Sequence, residues 1–157
     1  MSPAPRPNLR DPVHVLAFGF GAGLSPLAPG TVGSVLGVLI FLSMTPLPLP
    51  IYIAVSGLLF LAGIWICGKA SRDLDVHDHR GIVWDEIVGF LVAMTALPPD
   101  WPWILAAFLL FRFFDIVKPW PIGWLDRHVH GGLGIMLDDL AAGLGALLLL
   151  QLAFLLF

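Results

Sequence analysis

The amino-acid sequence predicts an all-α fold: a compact multi-span helical membrane protein of about four to five apolar helices, with a broken segment near the N-terminus. Three observations carry this. Hydrophobic residues make up 58% of the 157 and charged residues only 12%, with a mean hydropathy of +0.91; an ordinary soluble domain carries about 25% charge. The apolar residues gather in long runs divided by breaks rich in Pro, Gly or charge. The Lys and Arg residues alternate from break to break, as membrane topology requires.

The elements follow in order. Residues 1–12, "MSPAPRPNLRDP", are Pro-rich, show no cleavable-signal pattern and read as a disordered tail; residues 13–157 read as a single helical membrane domain. Val13–Pro29 holds four Gly or Ser residues and two prolines, so it reads as a broken, interfacial or re-entrant segment buried against protein. Five apolar runs come next: Val32–Thr45, Ile51–Gly68, Ile82–Leu97, Trp101–Val117 and Ile135–Phe157. A full crossing takes about 20 residues, so the first and third are short. "PLPLP" and "PPD" separate runs without a basic residue, whereas Lys69–Gly81 and Lys118–Gly134 hold five of the eight. The N-terminus and both long loops are thereby expected in the cytoplasm. Trp101, Trp103, Trp120 and Trp124 stand beside run ends, where interfacial tryptophans collect.

Composition also excludes functions. A net charge of −3 with no basic stripe speaks against nucleic acid. A single cysteine, Cys67, excludes an internal disulfide and a Cys-rich metal site.

On this topology the charged residues converge. Asp85 and Glu86 begin the third run, Arg112, Asp115 and Lys118 end the fourth, and Asp138 and Asp139 begin the fifth, all on the cytoplasmic side. Five carboxylates meet two bases, so ion pairing alone does not neutralise them. Two bases suit a phosphate, and the surplus acids suit Mg2+, which takes oxygen ligands and keeps substrate phosphate in its shell. "APGTVGS", Ala28–Ser34, leads into a helix whose amides, with the Thr31 and Ser34 hydroxyls, suit an anion.

Plainer readings stand beside these. Asp138 and Asp139 suit a helix N-terminus, Arg112–Asp115 an i, i+3 ion pair, and Thr31 and Ser34 capping or tight packing. His77, Asp78 and His79 fit a solvated loop better than a metal site, and Trp84 and Trp120 fit packing or interfacial anchors. Known phosphatase motifs are not met: Cys67 to Arg72 has four intervening residues where five are needed, "DLDVH" ends in His and follows no strand, and neither Lys69 nor Lys118 is followed by Arg-Pro.

The blocks "FGFGAGLSPLAPGTVGS", "IVWDEIVGF" and "FRFFDIVKPWPIGWLDRHVHGGLGIMLDDLAAG" resemble the signatures of the phosphatidylglycerophosphatase A family, over Phe18 to about Gly145. The resemblance implies an all-helical, Mg2+-dependent enzyme of the bacterial inner membrane. It would remove the terminal phosphate of the phospholipid phosphatidylglycerophosphate on the cytoplasmic face. Asp85, Glu86, Asp138 and Asp139 would hold the metal, with Arg112, Lys118, Thr31 and Ser34 on the phosphate. Asp115 or Asp139 would serve as base, unless an aspartyl-phosphate forms. The alternatives are a small ion-binding transporter and a phosphatidyl-group transferase. Against the first, the ionisable residues cluster on one side and no internal repeat is found; against the second, the Asp-rich, Gly-containing signature is missing. The oligomeric state is left open.

Overall fold

The computed structural model describes residues 5–156, and among them it is all-helical, with no strand. Seven α-helices follow one another: α1 (Pro12–Ala17), α2 (Pro29–Met44), α3 (Leu49–Asp73), α4 (Trp84–Ala93), α5 (Trp101–Val117), α6 (Ile122–His128) and α7 (Gly131–Leu156), with a 3-10 segment, Gly19–Leu24, between α1 and α2. Proline stands in the first two positions of α2, α3 and α5, where the missing N–H is no loss and the fixed φ favours helix.

The broken N-terminal segment is a short helix and a kinked 3-10 stretch, with Phe20 and Gly21 off helical geometry. Val13, Ala17 and Phe18 bury against Ile66, Cys67 and Ala70 of α3. Of the expected tail, residues 1–4 lie outside the described residues. Within the rest, the Asn8 amide donates to His14 Nδ1 at 2.9 Å, and Asp11 caps α1 and pairs with Lys69 at 2.9 Å.

The third apolar run departs most from expectation. Its helix, α4, has ten residues and spans about 15 Å, half of what a bilayer crossing needs. Instead it forms the axis of the bundle. Ile87, Val88, Phe90, Leu91 and Ala93 are buried on all sides, packed by α2, α3, α5 and α7. Among the described residues two helices, α3 and α7, are long and apolar enough to cross a membrane, and α2 is a shorter apolar helix. Large apolar side chains such as Leu39, Leu58, Leu61, Leu109, Leu148 and Leu155 face outward.

Candidate active site

Close backbone contact between α4 and α7 builds the site. A Cβ on Gly143 of α7 would collide with the Gly89 carbonyl of α4, and one on Gly89 would lie 2.9 Å from the Asp139 carbonyl. The two helices run in the same sense, so one turn before this crossing Asp85 and Glu86 of α4 meet Asp139 of α7. One carboxylate oxygen from each lies within 4.8 Å of the others. Asp139 is 2% exposed and Asp85 7%. Asp85 Oδ1, Glu86 Oε2 and Asp139 Oδ2 are buried with no hydrogen-bond donor among the described residues.

α5 supplies the cations. Arg112 bonds Asp115 one turn along and lies 3.9 Å from Glu86; its Nε is buried without an acceptor among the described residues. Lys118 caps α5 in the left-handed region at φ 47, which turns its ammonium to Asp126 of α6 at 2.7 Å and Asp138 at 2.6 Å. Burial disfavours the charged lysine, but the two carboxylates outweigh it and hold the pKa above the usual lysine value.

These groups line one cavity of about 280 Å³, together with Ala28, Pro29 and Gly30 at the N-terminus of α2 and Asp78 and Arg80 of the α3–α4 loop. Gly30 is required there: a Cβ would sit 2.5 Å from Glu86 Oε1 and 3.1 Å from the Arg112 guanidinium. Another cavity, about 170 Å³ among Phe41, Met44, Tyr52 and Met94, has no charged lining.

The expected site residues divide. Asp85, Glu86, Arg112, Asp115, Lys118, Asp138 and Asp139 all line the cavity. Thr31 and Ser34 do not; the buried Ser34 hydroxyl donates to the Gly30 carbonyl at 2.9 Å, so α2 offers its terminal backbone instead. Asp138 stands apart from the three-carboxylate group, its Oδ2 held by Lys118 and its Oδ1 accepting from the Asp139 amide. The i, i+3 pair between Arg112 and Asp115 does form. Asp78, Arg80 and Asp126 complete the surroundings; the clue to Asp78 in the sequence is the acid's place between two histidines in a loop that leads into α4.

Three acids with unpaired oxygens form a donor set that could hold a divalent cation, all of it hard oxygen. A second acidic group, Asp11, His14 and Asp73, is already bridged by Lys69, which bonds both aspartates and clamps α1 to α3. An anion entering the main cavity would meet Arg112, the positive end of the α2 dipole and any cation held by the acids.

The family profile described as Phosphatidylglycerophosphatase A matches residues 15–154. Phosphatidylglycerophosphatase A of Escherichia coli (strain K12) is 48% identical over 139 residues, covering 88% of this chain and 81% of that protein. The chain belongs to the phosphatidylglycerophosphatase A family. Phosphatidylglycerophosphatase A of Haemophilus influenzae is 45% identical, covering 94% of this chain and 91% of its own. A Bacteroides thetaiotaomicron protein, provisionally named a phosphatidylinositol-3-phosphatase, is 37% identical over 88% of this chain and 91% of its own. No solved structure matches the chain. Family membership makes the chain a phosphatase and removes the grounds for a transporter or a phosphatidyl-group transferase.

Proposed function

We propose that the chain hydrolyses the terminal phosphate of phosphatidylglycerophosphate, giving phosphatidylglycerol and inorganic phosphate, with Mg2+ as cofactor. In this reading residues 13–157 act as one domain, embedded by several helices in the bacterial inner membrane, with the cavity facing the cytoplasm. The observation that carries it is the cavity: three clustered carboxylates beside Arg112, each with one buried oxygen that meets no donor among the described residues, at the end of the bundle where the basic loops lie. The names of the Escherichia coli and Haemophilus influenzae relatives supply the substrate. The outward leucines and the two long apolar helices support the membrane setting.

Asp85, Glu86 and Asp139 would hold the cation. When bound, Mg2+ supplies Lewis-acid polarisation of the phosphoryl oxygens. Arg112, oriented by Asp115 and Glu86, stabilises negative charge on the phosphoryl group as it transfers. Lys118, neutralised by Asp126 and Asp138, ties α5 to α6 and α7 and fixes the cavity wall. Asp115, outside the cation group, receives the proton of the attacking water. Its carboxylate lines the cavity and is held by the Arg112 guanidinium.

The test is phosphate release by purified protein, with and without Mg2+, from phosphatidylglycerophosphate, phosphatidic acid and phosphatidylinositol 3-phosphate. Release from the first, abolished by chelation, is expected. A clear preference for phosphatidylinositol 3-phosphate would favour the second reading, which the Bacteroides thetaiotaomicron relative supports. Release that ignores chelation would refute the metal.

A further inference from the structure

We propose that Asp78 is the general acid of this reaction, giving its proton to the glycerol oxygen that leaves phosphorus. The inference rests on the phosphatase reading above and adds a role that the reading lacks. The leaving group is an alkyl alcohol, whose alkoxide is a poor leaving group unless protonated as the bond breaks.

Six carboxylates line the cavity. Asp85, Glu86 and Asp139 form the cation group, Asp115 is bound to Arg112, and Asp138 to Lys118. Of the three acids outside the cation group, Asp78 alone has no hydrogen bond or ion pair among the described residues, and it is exposed at the cavity rim. Its loop is nevertheless pinned on both sides. The Ser71 hydroxyl bonds the Val76 and His77 carbonyls, both at 2.8 Å. His77 accepts from the Gly131 amide at 3.3 Å and packs edge-on against His130. His79 accepts from the Gly81 amide at 3.1 Å, reaches the Pro5 carbonyl at 3.1 Å and packs against Phe18. The loop thus holds an unpartnered acid at the cavity's edge.

The charged groups that act on Asp78 are Lys118 and Asp115 of α5, Asp126 of α6, His77 beside it, Asp85 of α4 and Asp138 of α7. Even at the open edge, desolvation raises its pKa above the ordinary aspartate value, against the pull of Lys118. In the step itself, the water oxygen bonds to phosphorus and its proton passes to Asp115. The phosphorus–glycerol bond breaks with its electron pair on glycerol oxygen, which takes the Asp78 proton. Solvent then restores that proton.

Wild type, Asp78→Asn and Asp78→Glu are compared on phosphatidylglycerophosphate and on 4-nitrophenyl phosphate, whose leaving group needs no proton. Asp78→Asn is expected to lower kcat on the lipid about a hundredfold or more, the scale of general acid catalysis, and to erase the alkaline fall of the pH profile. The aryl phosphate rate should change less than about tenfold, and Asp78→Glu should restore part of the lipid rate with the alkaline fall. Equal losses on both substrates, an alkaline fall retained in Asp78→Asn, or a raised Mg2+ requirement would each overturn the proposal. If wild type leaves the aryl ester uncleaved, the pH profile decides. Wild type that releases no phosphate from the lipid would refute the functional reading instead.

Discussion

Asp139 sits 2% exposed beside Asp85 and Glu86, and each of the three holds a buried oxygen with no donor among the described residues. Like charges held this close away from water repel, and Arg112 at 3.9 Å from Glu86 offsets only part of it. The arrangement therefore costs stability that a bound cation would return. Asp139→Asn should raise the thermal midpoint in chelator by about 3 °C or more, roughly 1 kcal/mol for a chain of this size, while activity falls at least about a hundredfold. Thermal unfolding in detergent with chelator checks the first; a lower midpoint would show that the charge is satisfied without metal. The acids themselves are legible in the sequence, because carboxylates in apolar runs need a reason to be there. The division of labour between Asp138 and Asp139 is not. Neighbours on a helix point about 100° apart, and only the docking of α4 and Lys118 decides which faces which.

At the scale of elements, the decisive contact is the crossing of α4 and α7 at Gly89 and Gly143. Any side chain at Gly143 pushes the helices apart one turn from the acids. Gly143→Val should lower both midpoint and activity and raise the Mg2+ concentration needed for half-maximal rate. Gly57→Ala in α3 is the control: a Cβ there meets nothing within 4 Å, so activity should persist and helix propensity favours the change by up to about 1 kcal/mol. Equal effects of the two would show that the crossing does not set the site. The fourth run coincides with α5 at both ends, Trp101 and Val117; Pro102 sits where a helix start tolerates it, while the Asp100 side chain makes no capping bond. The third is misleading, because an apolar run buried in protein lacks the period that would separate a core helix from a span. The helix α6 is hidden in a loop whose prolines mask seven helical residues.

Over the whole molecule, apolar side chains cover the outside of the long helices and the charged cavity lies at one end. The interior is apolar as well, so it is the exterior that differs from a soluble domain's, and it suits a lipid whose chains stay in the bilayer while its phosphate reaches the cavity. Sidedness is testable because Cys67 is the only cysteine and is buried. In a Cys67→Ser background, Leu47→Cys should react with an impermeant maleimide from outside the cell. Trp120→Cys, at a position 83% exposed near the site, should react only in inverted vesicles. The reverse pattern would place the cavity on the other face. The proposed function depends on a cation held by Asp85, Glu86 and Asp139 together. Its most direct test is Mg2+-titrated phosphate release from phosphatidylglycerophosphate by wild type, Asp85→Asn, Glu86→Gln and Asp139→Asn. Each variant should lose at least about a hundredfold in rate and need well above the wild-type Mg2+ concentration for half its own maximum; wild-type Mg2+ dependence in all three would contradict the site.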